Sequence, residues 1–213
     1  ETYQKNFKPV VDAGDEAIAI LLSSEISNTV NTAYTAVQML ETDRISIFDS
    51  KVTAFGQAAM AIKAKEMADA GAGRPEIIKT LEDMRRRIYI FFIVLSLKYL
   101  YEGGRLSGAQ ALIGSVIQIK PIIWFDQEGR LVPFEKTRTI KTAKARVLEL
   151  IQERAKNGIE KIAVQYGDNY EEAVDYQRDL EAMVGFSVPV IQTSPVLAAH
   201  TGPDVLWIVL ITK

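Results

Sequence analysis

Four stretches of this sequence carry side chains that could bind a ligand or take part in catalysis, and the first is SSEISNTVNTA at residues 23–33. It follows the apolar run AIAILL, which predicts a strand covered on both faces, and Ser27, Asn28 and Thr29 stand where the next helix is expected to begin. Ligands bind beyond the carboxyl ends of strands in open α/β sheets, and a helix N-terminus with hydroxyl groups attracts phosphate or carboxylate. Ordinary capping of the helix by Ser or Asn accounts for the same residues, so both interpretations stay open.

His200 is the only histidine of the chain, and it lies in AAHTGP just before a strongly apolar stretch. It could act as a catalytic base, bind a ligand, or serve as a structural hydrogen-bonding group. A Ser-His-Asp triad can be assembled from Ser27, His200 and Asp49, so a small serine hydrolase or esterase is one hypothesis. The sequence lacks the G-x-S-x-G nucleophile elbow, which weakens that hypothesis.

Two further stretches offer cations. YEGGRLSGAQ places Arg105 after paired glycines, which permit a tight turn or a close approach to an anion. FEKTRTIKTAKAR carries five basic residues in eleven positions: Lys136, Arg138, Lys141, Lys144 and Arg146. Most often an arginine after such a turn is simply solvated, and a basic run of this kind is the solvated face of a helix. Docking of a phosphate or an acidic protein partner is the alternative.

Composition narrows the classes of function. The net charge of -2 gives no basic field that would favour nucleic acid. The chain has no cysteine, which excludes disulfides, thiolate metal sites and a cysteine nucleophile, and a single histidine excludes a histidine-rich metal site. Apolar runs stay shorter than the roughly 18 residues of a membrane span. A zinc site would need carboxylates for most of its ligands. We expect neither a metal nor a cofactor.

The pattern of apolar runs predicts an α/β protein. Residues 1–88 read as an opening helix followed by β-α-β-α-α, with Pro75 at the first position of the last helix, which indicates a parallel sheet with crossover helices. Residues 89–213 add a hairpin around Asp-Gln-Glu-Gly to alternating strands and helices, which indicates a second domain with a mixed sheet. Within it we expect a helix from Gln110 to Ile117 and a helix ending at Gly158 in the C′ position.

These stretches together resemble the DegV family. SSEISNTVNTA is similar to its S-S-x-L-S-G-T-Y-x-x-A segment, ISIFDSKVTAFGQA to V-x-x-I-D-S-x-x-x-S-x-G, and LKYLYEGGRLSGAQALIGSVIQIKPII to L-x-Y-L-x-x-G-G-R-I followed by L-x-I-K-P-I. EKTRTIKTA resembles its K-x-R element, and AAHTGPDVLWI its H-T-G-P-G-A-L-G-I segment. Five motifs in the same order across nearly the whole chain make the resemblance specific.

The resemblance implies two α/β domains, the first Rossmann-like, with a long-chain fatty acid held between them. It implies a bacterial, cytoplasmic lipid-binding subunit, not an enzyme, which presents the acyl carboxylate to a partner fatty acid kinase. Ser27, Asn28, Thr29 and His200 would hold the carboxyl head group. Arg105 and Arg138 would face the entrance, where the kinase, a phosphate or transiently a membrane surface engages.

Three departures from the family pattern bear on the site. Asn28 replaces the glycine that follows the serine, where its side chain could cap the helix or crowd the head group. Asp204 replaces the glycine after H-T-G-P, which could alter the loop that carries His200. The family's opening D-S-S strand and its T-S-Q-P segment have no counterpart in this sequence, so we expect N-terminal sequence to be missing and the site to be incomplete.

Overall fold

The computed structural model of the protein describes residues 1–94, 96–107 and 119–213. The chain divides into two compact units, one formed by residues 1–86 with 127–129 and the other by residues 87–126 with 130–213. The predicted α/β fold, with a parallel sheet in the first unit and a mixed sheet in the second, is confirmed. The expected helix from Gln110 to Ile117 lies outside the described residues.

The first unit is built from four helices and two parallel strands in its described chain. In order these are α1 (Thr2–Asp12), β1 (Ala17–Leu21), α2 (Thr29–Met39), β2 (Ile45–Asp49), α3 (Ala54–Asp69) and α4 (Arg74–Arg86). The two strands pair from Ala17 with Ile45 to Leu21 with Asp49, so both strands end at the same edge. Polar residues that follow β1 and β2 are therefore brought side by side.

Apolar spacing explains the local structure of this unit. The inward face of α2 buries Val30 and Ala33, and Val37 and Leu40 pack in part against the same core, as the three- and four-residue steps predict. β1 packs against the core of α1 and α2 and also contacts α3, yet all five of its residues are only half-buried, so the expected cover of both faces is incomplete. Within the described residues β1 pairs with β2 alone, which leaves the strand less enclosed than a central strand.

The second unit is a six-stranded mixed sheet with helices. Its elements are β3 (Ile88–Val94), α5 (Lys98–Glu102), β4 (Ile122–Phe125), β5 (Leu131–Glu135), α6 (Ile140–Arg154), β6 (Ile159–Tyr166), α7 (Tyr170–Val184), β7 (Val190–Gln192), α8 (Pro195–Thr201) and β8 (Val205–Thr212). The strand order is β5-β4-β3-β8-β6-β7, and only β6 and β7 pair in parallel. All eight residues of β8 are buried because this strand lies at the centre of the sheet.

One face of this sheet packs against α6 and α7. The residues that form this core are Phe91, Ile93, Ile122, Val147, Leu150, Ile151, Ala173, Tyr176, Leu180, Ile208 and Leu210, among others. The predicted hairpin is confirmed, with β4 and β5 joined through Asp126 and Arg130, whose backbones and side chains bond to one another. The sheet thus forms a rigid support for the loops and short helices at its edges.

Three local expectations differ from the structure. Gly158 is not at the C′ position of α6, which ends at Arg154 with Ala155 as its C-cap; Gly158 instead turns the chain into β6 at a φ of +101°. Pro75 is the second residue of α4, still in the first turn, where a missing N–H costs nothing. His200 lies in the last turn of α8, not in a loop.

Candidate functional site

The first group of candidate residues lies at the start of α2. Ser27 Oγ and Thr29 Oγ1 are 2.6 Å apart, and the Thr29 N–H donates to Ser27 Oγ at 3.3 Å. Asn28 occupies the N-cap position but makes no side-chain capping bond; its Oδ1 accepts a bond from Asn31 Nδ2 at 2.9 Å. Capping by Asn28 is therefore not how this helix begins, and its amide is directed to the next turn of the helix.

These residues line a groove of about 660 Å³ between the start of α2 and the start of α1. The wall from α2 carries hydroxyl and amide groups, with Thr32 and Thr35 one and two turns below Thr29. Both of these hydroxyls donate to backbone carbonyls four residues earlier in the helix, so they are not free donors. Ser27 and Thr29 are the hydroxyls placed at the positive end of the helix dipole, which favours an anionic group.

A second cluster lies where β1 and β2 end. The Ser24 hydroxyl donates to Asp49 Oδ2 at 2.6 Å, the Ser24 N–H lies 3.3 Å from Oδ1, and Lys51 Nζ lies 3.0 Å from Oδ2. Burial raises the pKa of Asp49, but bonds from Ser24 and from the backbone and side chain of Lys51 outweigh this effect, so its net pKa is lowered. Asp49 is thus a carboxylate held by Ser24 and Lys51, which weakens its assignment to a triad with Ser27.

The sequence pattern places Ser24 at the carboxyl end of β1, but sequence reasoning did not join it with Asp49 and Lys51 in one cluster. The available signal was the polar residue that ends each of two neighbouring parallel strands, since such residues meet at one edge. The backbone conformation after β2 could not be predicted from this signal, because Lys51 and Ala54 are non-glycine residues in the left-handed region, with φ of +59° and +56°. The Lys51 N–H donates to Asp49 Oδ1 at 2.9 Å and holds this turn.

In the second unit, His200 lies against the paired-glycine turn that follows α5. A Cβ atom added to Gly103 would lie 3.1 Å from His200 Nδ1 and 2.9 Å from the Tyr99 carbonyl oxygen, so a larger residue would have to displace the imidazole or the backbone. Two residues after His200, Gly202 packs in the same way on the ring of Tyr99, and its φ of +86° also requires glycine. The structure therefore brings His200 together with the G-G-R turn, and two glycines make the close approach of α5 and α8 possible.

Arg105 ends this turn with an exposed side chain whose Nη1 donates to the Gly103 carbonyl. The loop after α8 is held by backbone bonds: the Asp168 N–H donates to the Pro203 carbonyl at 2.9 Å, and the Gly167 N–H to the Val205 carbonyl at 3.1 Å. Asp204 is exposed in this loop. Its substitution for a glycine therefore adds no buried charge beside His200.

The basic run divides into two parts. Lys144 pairs with Glu172 at 2.9 Å, and Arg146 pairs with Glu135, Glu149 and Glu153, each at 2.9 Å. Lys136, Arg138 and Lys141 are exposed around the start of α6, where Thr139 Oγ1 accepts a capping bond from the Thr142 N–H. Only the first part of the run therefore presents cations to a partner.

The candidate residues fall into two groups in different units. Ser27, Asn28 and Thr29 belong to the first unit, and His200, Arg105 and Arg138 to the second. No group of three or more His, Cys, Asp or Glu side chains within residues 1–94, 96–107 and 119–213 is arranged to hold a metal ion. The helices in these ranges are also too short or too polar to cross a bilayer.

Comparison with known proteins identifies the family. The family described as "Uncharacterised protein, DegV family" matches residues 1–213. Protein DegV of Bacillus subtilis is 42% identical over 170 residues, which are 79% of this chain and 60% of that protein. A DegV domain-containing protein of Listeria innocua is 36% identical over 196 residues, 90% of this chain and 68% of that protein. The matched part of this chain thus spans about two thirds of the length of these relatives.

Among solved structures, that of DegV from Bacillus subtilis, described as a fatty acid binding protein, superposes with a TM-score of 0.87 at 35% identity. The superposition covers 100% of this chain and 76% of that one. Sequence and structure agree over the whole chain, and this protein belongs to the DegV family.

Proposed function

We propose that this protein binds a long-chain fatty acid and presents its carboxylate to a partner fatty acid kinase in the bacterial cytoplasm, without catalysing a reaction itself. The observation that carries the proposal is the likeness, over the whole chain, to a Bacillus subtilis protein that binds fatty acids. The kinase, which supplies nucleotide and phosphoryl transfer, is proposed from the resemblance of the five motifs to the family.

We assign the head group to the residues at the start of α2 and the end of α8. The Ser27 and Thr29 hydroxyls lie 2.6 Å apart, so when one donates to the other a single proton remains for the carboxylate. The side-chain amide oxygen of Asn28 is bonded to Asn31. We therefore assign to Asn28 its backbone N–H, at the helix start, as the group that meets the carboxylate. A nitrogen of the His200 imidazole donates to the same carboxylate.

The test is denaturing extraction of the purified full-length protein followed by mass spectrometry of the released lipid. We expect about one acyl chain per protein molecule, and less in Ser27→Ala and His200→Ala variants. Thr80→Ala is the control, because it removes a hydroxyl on a different helix, one that bonds the backbone carbonyl of Glu76 and is not among the proposed head-group residues. A folded protein that carries no acyl chain, and takes up none when it is offered, contradicts the proposal.

The hydrolase hypothesis predicts a different result. Ester turnover that is abolished by Ser27→Ala in a folded protein would favour it, whereas a fatty-acid carrier shows no such turnover. A regulatory protein with an incidental lipid is separated by a further observation: its lipid-free form would still act on the partner. For the carrier, Arg138→Glu is expected to abolish kinase docking and leave lipid occupancy unchanged.

A further inference from the structure

The turn that leads from β1 to Ser27 is tied down at its first two residues. The buried Ser23 donates its N–H to the Val52 carbonyl at 2.8 Å and its hydroxyl to the Gly129 carbonyl at 2.7 Å. The Ile26 N–H then returns to the Ser23 carbonyl at 3.2 Å and closes the turn. Ser27 follows at once, so its position depends on how firmly this turn is held.

Asp49 is the charged anchor of that turn. Its side chain is 16% exposed, and its oxygens accept bonds from both the N–H and the hydroxyl of Ser24. The hydroxyl bond of 2.6 Å has the length of a charge-assisted bond to a carboxylate. Lys51, the next cation along the chain, holds the same carboxylate at 3.0 Å. The carboxylate is therefore fixed by Lys51 and in turn fixes Ser24.

We propose that Asp49 is a positioning residue for the head-group site: through Ser24 it holds the turn that sets Ser27 at the start of α2. This inference rests on the proposed function, because it assigns a task to Asp49 only if Ser27 binds a carboxylate. Asp49 itself does not touch the ligand. Its effect is expected on recognition of the head group and not on packing of the acyl tail.

The experiment compares a fatty acid with the fatty alcohol of the same chain length. The full-length protein is delipidated, and the dissociation constants of both ligands are measured for the wild type, Asp49→Asn, Ser24→Ala and Ser27→Ala. We expect each variant to lower the preference for the acid over the alcohol by about tenfold to a hundredfold, the loss of one hydrogen bond to a charged group. Asp12→Asn is the control, since its carboxylate pairs with Lys8 at 2.8 Å on an exposed helix face.

A further variant keeps the test valid even if Asp49→Asn does not fold. Ser24→Thr keeps the hydroxyl that donates to Asp49, so it is expected to restore the preference that Ser24→Ala loses. An unchanged preference in both Asp49→Asn and Ser24→Ala, with Ser27→Ala impaired, overturns the role of Asp49 but leaves the proposed function intact. An equal loss of acid and alcohol affinity also overturns it. A wild-type protein that binds neither ligand overturns both proposals.

Discussion

The contact between Gly103 and His200 gives the sharpest test of how the imidazole is placed. A Cβ on Gly103 would lie 3.1 Å from His200 Nδ1 and 2.9 Å from the Tyr99 carbonyl oxygen, so Gly103→Ala must displace the imidazole or the backbone of α5. Overpacking of this kind costs about 1–3 kcal/mol. Gly103 has a φ of -70°, which alanine adopts readily, and the substitution regains about 0.4–1 kcal/mol from the unfolded chain. The net loss of stability is then about 0–2.6 kcal/mol.

Stability alone is thus a weak reporter, and the imidazole itself is the better one. The chain contains a single histidine, so its Hε1 proton gives one assignable NMR signal. We expect Gly103→Ala to shift this signal while the protein stays folded. The matched control is Gly104→Ala: its φ is +66° and an added Cβ meets no atom within 4 Å.

The Gly104→Ala control separates the effect of backbone strain from the effect of contact with the imidazole. Alanine in the left-handed region at Gly104 is expected to cost about 1–2 kcal/mol, or about 2–8 °C in melting temperature for a chain of this size. It should leave the histidine signal in place. If Gly103→Ala does not move that signal, or Gly104→Ala moves it as far, Gly103 does not position His200.

Three further predictions concern the rest of the fold. Thr193→Val removes a buried hydroxyl that has no hydrogen-bond partner in the described ranges, so urea denaturation should show unchanged stability or a gain of up to about 1 kcal/mol. Thr137→Val is the contrasting variant: it breaks a bond to a backbone carbonyl and should lose about 1–3 kcal/mol. Gly167→Ala would place a Cβ 2.0 Å from the Pro203 carbonyl oxygen, and a loss of about 3 kcal/mol or more is expected; an unaltered thermal midpoint would contradict it. The folded-state pKa of Asp49 is lowered, so its contribution is present above the unfolded pKa of about 4 and lost as pH falls through the lowered value. The stability difference between wild type and Asp49→Asn should therefore shrink below about pH 4, and a difference that stays constant down to about pH 2 would count against it.

Much of the fold could be predicted because its strands are marked by local apolar runs. VLWIVLI predicts a buried strand, and β8 is buried along its whole length. The hairpin could be predicted from Asp-Gln-Glu-Gly, since Asp126 and Gly129 supply the side-chain bond and the positive φ that such a turn needs. These features depend on residues close together in sequence, where the local order of residue types determines the conformation.

The candidate site was less predictable because its geometry depends on contacts distant in sequence. The helix that carries His200 begins at Pro195, a common first helical residue, yet the following Gly-Pro pair favoured a loop. The bond from Ser24 to Asp49 joins residues 25 positions apart, and no local pattern distinguishes that serine from its neighbours. Gly103 could be read as a turn residue, but not as the residue that makes room for an imidazole on another helix.

The exposed cations at the start of α6 bear on function through their position relative to the helix dipole. Positive charge at a helix N-terminus opposes the helix dipole, and the first turn of α6 contains no acidic residue that would compensate Lys141. Lys144 and Arg146 are different, because they form ion pairs with the carboxylates of Glu172 and Glu135. Helix stability therefore does not explain Arg138 and Lys141. Unfavourable charge that is kept exposed at a positive helix end is better explained by an anionic surface outside this chain, which supports the proposal that Arg138 meets a partner.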